Sequence, residues 1–368
     1  MSKCSWVRSF AQYASIGNVT HTTPPSIPAG MRAAVLVEPG RIEMRERPVP
    51  EPAPGDVLVR VTSVGVCGSD THYYREGRIG EFVVEAPLVL GHEAAGTIAA
   101  VGAGVPAGRV GQRVSIEPQR PDPTTDETRR GRYNLCPHMR FYATPPVDGA
   151  FCDYVTIGAE FAHPVPDTVS DDAAALCEPL SVGIAAVRKA GVTAGSRVLV
   201  TGAGPIGIVT AQVARAFGAT DIVVTDLDAD RRALARKFGA TATRDPRTDD
   251  VSDLHVDAYI EASGAPAAVA AAMRAVRPAG TVVLVGSGAE TMNLPVQLIQ
   301  NRELVLTGVF RYAHTWPTAI ALAATGRVDL DAMVTARFPL ERAAEALESD
   351  RTPGNIKTVV RVHPGDDT

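Results

Sequence analysis

The sequence is poor in cysteine: five in 368 residues, at positions 4, 67, 136, 152 and 177, with no paired spacing. An odd, scattered set in a chain of this length excludes a secreted disulfide scaffold and points to a reducing compartment, so a cytoplasmic location is expected. No apolar run approaches the ~20 residues that a membrane-spanning helix requires, and a soluble protein is expected. Basic residues are not in excess, because 36 Lys and Arg stand against 41 Asp and Glu for a formal net charge of -5. That balance gives no electrostatic case for nucleic acid or an anionic membrane as partner. No internal repeat of solenoid period is present. Acidic residues are missing altogether from positions 1–30, which carry Lys3, Arg8 and several Ser and Thr. A transit peptide has such a composition, but Thr22 to Gly30 reads better as a Pro-rich linker, with Met31-Arg32-Ala33-Ala34-Val35 opening the folded part, so residues 1–30 are expected to be an N-terminal extension that reflects an upstream start or a disordered tail. Arg8 and Gln12 interrupt any apolar signal core.

What is present suggests two domains, since 368 residues exceed what one core usually supports. Hydrophobic content of 45% and charged content of 21% are ordinary for a globular protein. From Met31 to about Asp167, Gly and Pro punctuate short β-branched runs such as Val57-Leu58-Val59-Arg60-Val61, Gly96 to Val101 and Arg113-Val114-Ser115-Ile116, which predict a mainly β domain. Asp171 to Ala190 is Ala-rich and helical in pattern. Strands then alternate with helices: Arg197 to Thr201, Asp221 to Asp226, Ala258 to Ile260, Thr281 to Val285 and Leu304 to Val309 are the strands. This rhythm predicts an α/β fold with a doubly wound parallel sheet over residues 181–310. After about Arg311 the rhythm is lost, so residues 311–368 are expected to rejoin residues 31–180.

Gly202-Ala203-Gly204-Pro205-Ile206-Gly207 lies between the first of these strands and its helix, with Asp226 at the end of the next strand. In that context G-x-G-x-x-G is a dinucleotide cradle. Gly202 permits the tight turn, Gly204 lets the backbone approach a pyrophosphate, and Gly207 lets helix and strand pack closely. The helix N-terminus offers unpaired N–H groups to the phosphates. Asp226 would bond ribose hydroxyls and repel a 2'-phosphate, favouring NAD over NADP. Arg231 could stack on adenine, meet a phosphate or remain a solvated helix charge.

Upstream, Cys67 in Cys67-Gly68-Ser69-Asp70 and His92 in Gly91-His92-Glu93 supply a thiolate and an imidazole on two Gly-flanked segments. These are zinc ligands by type, and a catalytic zinc takes three protein ligands with one open position. Two carboxylates compete for the third place: Glu93, which could instead orient the site without binding metal, and Glu178, at the entry to the cofactor domain. Cys177, adjacent to Glu178, is expected to serve packing.

With these residues in view, the chain resembles the zinc-dependent medium-chain alcohol dehydrogenases, and within them the sorbitol (L-iditol)/xylitol dehydrogenase branch. Gly91 to Val105, with Gly96 and Gly102, fits the family's zinc signature. The branch is marked by Cys67 through Gly80, Gly131 through Asn134, Ala143 through Gly149, Glu178 through Gly183 and Gly308 through Pro317, a combination not expected of a threonine dehydrogenase. The match runs from about Met31 to Arg361. The resemblance implies a GroES-like β domain carrying the zinc, a Rossmann domain, and a polyol substrate in the cleft between them. It implies Cys67, His92 and Glu93 as zinc ligands, and Glu178 as the carboxylate that holds water or substrate and ligates in some relatives. By the same resemblance Tyr73, Arg311 and Tyr312 contact the polyol, and Ile206, Asp226, Arg231, Val285, Gly286, Val309 and Phe310 contact NAD. A homotetramer is also implied.

The activity expected is oxidation of a secondary hydroxyl of a polyol to a ketose, with hydride passed to NAD. The alternative is a related zinc-dependent NAD(P) dehydrogenase acting on another diol, an amino alcohol or a sugar, while the intact Cys67, His92 and Glu93 set argues against a nucleotide-binding protein without catalysis. Ser69 is the expected first proton relay, with His72 beyond it. Many relatives carry four closely spaced cysteines that bind a second, structural zinc. Here the corresponding loop, Glu117 to Cys136, keeps only Cys136, and one thiolate cannot close a tetrahedral site. One zinc per subunit is therefore expected.

Overall fold

A computed structural model describes residues 27–288 and 290–364. The expected N-terminal extension, residues 1–30, lies outside the described residues except for its last four.

The hub of the first half is the Asp56–Gly65 strand, in which Val57, Leu58, Val59, Val61 and Val64 are all buried. β-Branched side chains suit a strand covered on both faces. Glu93–Val101 lies on one side of it, followed outward by Arg113–Ile116 and Ala162–Pro164. Lys357–Arg361 and then Val334–Pro339 lie on the other side, and Tyr154–Gly158 also pairs with the hub. The register sets Gly65 opposite both Glu93 and Val359, so one end of this sheet gathers chain from three distant stretches.

The second half is a six-stranded, wholly parallel sheet in the order Ala242–Arg244, Asp221–Thr225, Arg197–Thr201, Val256–Glu261, Val276–Leu284, Val305–Gly308. In chain order that is 3-2-1-4-5-6, with the switch point between Arg197–Thr201 and Val256–Glu261, where α/β sheets receive ligands. The fifth strand starts five residues earlier than the sequence pattern predicts. Pro278, Ala279 at φ 60° and Gly280 break its alternation, and pairing resumes only after a register shift at Val256/Ala258.

Residues after Arg311 do not all return to the first sheet. The Trp316–Ala324 helix packs on the Cys177–Lys189 helix, which also packs on Pro205–Ala216, and the chain re-enters the first sheet only at Val334. Trp316 fastens this junction: it is fully buried, and its indole N–H donates to Ser115 Oγ at 2.8 Å. Among the described residues no helix is long and apolar enough to cross a membrane.

Candidate active site

Cys67 caps the N-terminus of the Gly68–Glu76 helix, and Asp70, three residues on, accepts the Cys67 backbone N–H at 3.0 Å. This is capping-box spacing, and it fixes the chain on which the thiol sits. The other oxygen of Asp70 accepts the Gly91 N–H at 3.0 Å and faces His92 Nδ1 at 3.5 Å. Gly91 has φ 86°, and a Cβ there would stand 2.7 Å from the Phe151 ring, so only glycine turns the chain into His92. Asp70 is fully buried and orients both metal-type segments. Burial raises its pKa, but the His92 ring and the two backbone N–H groups outweigh that and hold it below the usual carboxylate range.

Cys67, His92 and Glu93 present ligand atoms that all lie within 4.8 Å of one another. These residues fit a metal ion on three further grounds. Glu93 Oε2 is buried without a hydrogen-bond partner among the described residues. A Cβ on Gly65 would lie 2.0 Å from that oxygen, so the absence of a side chain leaves it room. Finally, the buried Asp70 carboxylate faces His92 Nδ1 at 3.5 Å, the kind of contact that orients a metal-binding imidazole.

Glu178, the alternative third ligand by sequence, is not in that group. Its carboxylate is turned to Tyr312, whose hydroxyl donates to Glu178 Oε1 at 2.6 Å. Burial raises Glu178 to about 7; His92, the Tyr312 bond and Lys357 pull downward and Glu93 pushes further up. A carboxyl poised there can take or give a proton near neutrality. Tyr312 is itself only 1% exposed and reaches the site through Glu178.

Tyr73, on the helix that Cys67 caps, is buried, and that burial raises the pKa of its hydroxyl. Arg311 Nη2 reaches Thr144 Oγ1, at 3.4 Å, while its guanidinium lies 3.8 Å over the Phe141 ring and 4.8 Å over that of Phe310. Arg311 adopts φ 55°, an uncommon conformation for a side chain of that size. Ser69 is half-buried on the Cys67 helix, and His72 is exposed and faces Glu76 at 3.4 Å.

The glycine turn stands across a cleft lined by Cys67, Gly204, Pro205, Arg231, Asp350 and Asn355. Gly202 has φ 91°, and a Cβ on Gly207 would lie 1.8 Å from the Gly202 carbonyl, while the space in front of Gly204 is open. Asp226 accepts the Ala203 N–H at 2.7 Å and the Asp228 N–H at 2.9 Å, which fixes its carboxylate beside the turn. Ile206 is half-buried at the start of the following helix and Arg231 is exposed. Val285 and Gly286 follow one neighbouring strand end, and their N–H groups donate to the Glu261 carbonyl; Val309 and the exposed Phe310 follow the next.

Asp70, Thr144 and Lys357 belong to this constellation, and sequence patterns alone assign none of them a role. Asp70 has a signal, its capping-box distance from Cys67. Thr144 and Lys357 have none, because their partners lie far away along the chain.

Two family models match the chain: the alcohol dehydrogenase GroES-like domain over residues 53–167, and zinc-binding dehydrogenase over residues 205–325. The sorbitol dehydrogenase of Gallus gallus is 44% identical over 348 residues, which cover 92% of this chain and 98% of that protein. Among solved structures, L-idonate 5-dehydrogenase of Escherichia coli str. K-12 substr. MG1655 superposes with a TM-score of 0.85 at 30% identity, covering 90% of this chain and 98% of the other. A zinc-binding dehydrogenase of Sinorhizobium meliloti 1021 with NADP bound gives 0.84 at 32% identity, covering 91% and 100%.

Proposed function

The chain belongs to the zinc-dependent medium-chain dehydrogenases of the sorbitol dehydrogenase branch, and from that premise we propose that it oxidises a secondary hydroxyl of a sorbitol-, L-iditol- or xylitol-type polyol to the ketose with NAD as hydride acceptor. The observation that carries this reading is the group of half-buried Cys67 with buried His92 and Glu93, whose Cys67 lines one cleft with Gly204 and Pro205 of the glycine turn.

In this reading Cys67, His92 and Glu93 hold the zinc, which when bound supplies Lewis-acid polarisation of a hydroxyl oxygen. The remaining work falls to the chain. Asp70 holds the two ligand segments at a fixed separation. Glu178, oriented by Tyr312, accepts a hydrogen bond from the reacting hydroxyl or a water and handles its proton, and Ser69 and His72 lead outward to solvent. Arg311, Tyr73 and Thr144 bind neighbouring hydroxyls, for which the five fixed donors of a guanidinium are suited. The N-terminus of the Pro205–Ala216 helix receives the pyrophosphate. Asp226 takes the ribose hydroxyls, which favours NAD over NADP. Ile206, Arg231, Val285, Gly286, Val309 and Phe310 line the rest of the dinucleotide path.

We also propose one zinc per subunit, a homotetramer and a cytoplasmic location. The four described cysteines are free, and the sheet ends in the Val305–Gly308 edge strand with Val296 and Val305 exposed, which supports self-association. NADH formation followed by absorbance with sorbitol and xylitol tests the function, in native protein, after metal stripping, and after zinc is restored. Activity that vanishes with the metal and returns with zinc is expected; zinc-loaded protein inert toward both polyols would remove the substrate assignment.

A further inference from the structure

Lys357 is the least expected group near the site. It is 3% exposed, and its ammonium bonds Glu93 Oε1 at 2.5 Å and the Val66 carbonyl at 2.7 Å. The Lys357–Arg361 strand, which runs alongside Asp56–Gly65, delivers this cation to a place where Cys67 and Glu93 already come together. Burying an ammonium is expensive, and a cation beside a metal site weakens the binding of another cation. The two oxygens of Glu93 are unequal as a result. Oε1 is taken by Lys357, whereas Oε2 is buried, has no hydrogen-bond partner among the described residues, and lies over the space that Gly65 leaves.

We propose that Lys357 is a positioning residue that restricts Glu93 to a single metal-facing oxygen. A carboxylate free to chelate through both oxygens would fill the coordination position that a catalytic zinc keeps open for water or substrate. Lys357 prevents this by holding one oxygen, at the expense of metal affinity. Its second bond, to Val66, fixes the ammonium from the Cys67 side, so the restraint does not depend on Glu93 alone. The inference rests on the reading of Cys67, His92 and Glu93 as the zinc site.

The test uses the full chain, stripped and reloaded with cobalt(II) as a spectroscopic probe, and with zinc in competition against a chromophoric chelator. Lys357→Met frees Oε1 and removes the opposing charge, so zinc should bind about tenfold or more tightly and the cobalt d–d band should lose about half its intensity or more as coordination rises. Lys357→Arg keeps a charged donor and should retain the wild-type band. An unchanged cobalt band in folded Lys357→Met, or weaker zinc binding, overturns the proposal. If Lys357→Met does not fold, X-ray absorption on zinc-loaded wild-type protein decides: one sulfur and three light-atom ligands are expected, and a fourth light atom overturns it. A wild-type chain that takes up neither cobalt nor zinc would sink the zinc reading itself, and this inference with it.

Discussion

The Tyr312 hydroxyl donates to Glu178 Oε1 across 2.6 Å, joining residues 134 positions apart. The bond stabilises the ionised carboxylate against the burial that pushes its pKa up. Tyr312→Phe keeps the ring, which packs edge-on against Trp316 at 5.0 Å, and removes only the donor. Glu178 must then rise further, so a step that needs the carboxylate ionised is lost at higher pH. The acidic limb of the kcat/KM profile should move up by about one unit. A profile that does not move would detach Glu178 from the proton step.

Arg311 reaches Thr144, on a turn of the chain that also carries the cis Pro145-Pro146 bond, and its charge acts on the buried Tyr73 hydroxyl. In the proposed function these three groups read hydroxyls away from the reacting carbon. Arg311→Ala should raise KM for polyols about ten- to a hundredfold with a smaller change in kcat, the size of a lost charged hydrogen bond. Thr144→Val should act in the same direction and less strongly. Unchanged KM in Arg311→Ala would take it out of the substrate site.

In the proposed function, cofactor choice rests on one carboxylate. Asp226 is held by the Ala203 and Asp228 N–H groups, so its charge cannot swing away from an approaching 2'-phosphate. Asp226→Ser removes that repulsion and the ribose acceptor together. The ratio of kcat/KM for NAD over NADP should fall at least about tenfold. Unaltered selectivity, measured with both cofactors on the zinc-loaded variant, would count against the assignment.

Short sequence spacing expresses some parts of this site and not others. The Arg197–Thr201 strand, the glycine turn and the Asp221–Thr225 strand fall where periodicity predicts, because a buried parallel strand and a turn with φ 91° at Gly202 leave local marks. Cys67 and His92 are legible through their glycine neighbours, of which Gly91 proves sterically necessary. The choice between Glu93 and Glu178 is not, because it depends on partners supplied by other segments: Lys357 on one carboxylate and Tyr312 on the other. The path after Arg311 is hidden for the same reason. Trp316 is buried by Ser115 and by a helix more than a hundred residues upstream, which no local pattern encodes.

Metal count and thiol reactivity are linked in this chain. In the lobe where many relatives are expected to hold a second zinc, Cys136 accepts the Asp122 N–H at 3.2 Å, Asp122 pairs with His138 at 3.0 Å, and the Tyr133 hydroxyl donates to Glu117 at 2.8 Å. These hydrogen bonds tie the lobe together, and among the described residues the group of three ligands with metal-type spacing is Cys67, His92 and Glu93. Metal analysis should return one zinc per chain, and stripping it should leave this lobe folded. Alkylation followed by peptide mapping gives an independent reading. Burial pushes the Cys152 and Cys177 thiols up to about 12, so near pH 8 both are protonated and unreactive in the folded protein with or without metal. Cys67, half-buried at the cleft, should react in stripped protein and be protected once zinc is restored. Two zinc ions per chain would overturn the single-site reading, and Cys67 labelling indifferent to zinc would remove that thiol from the ligand set.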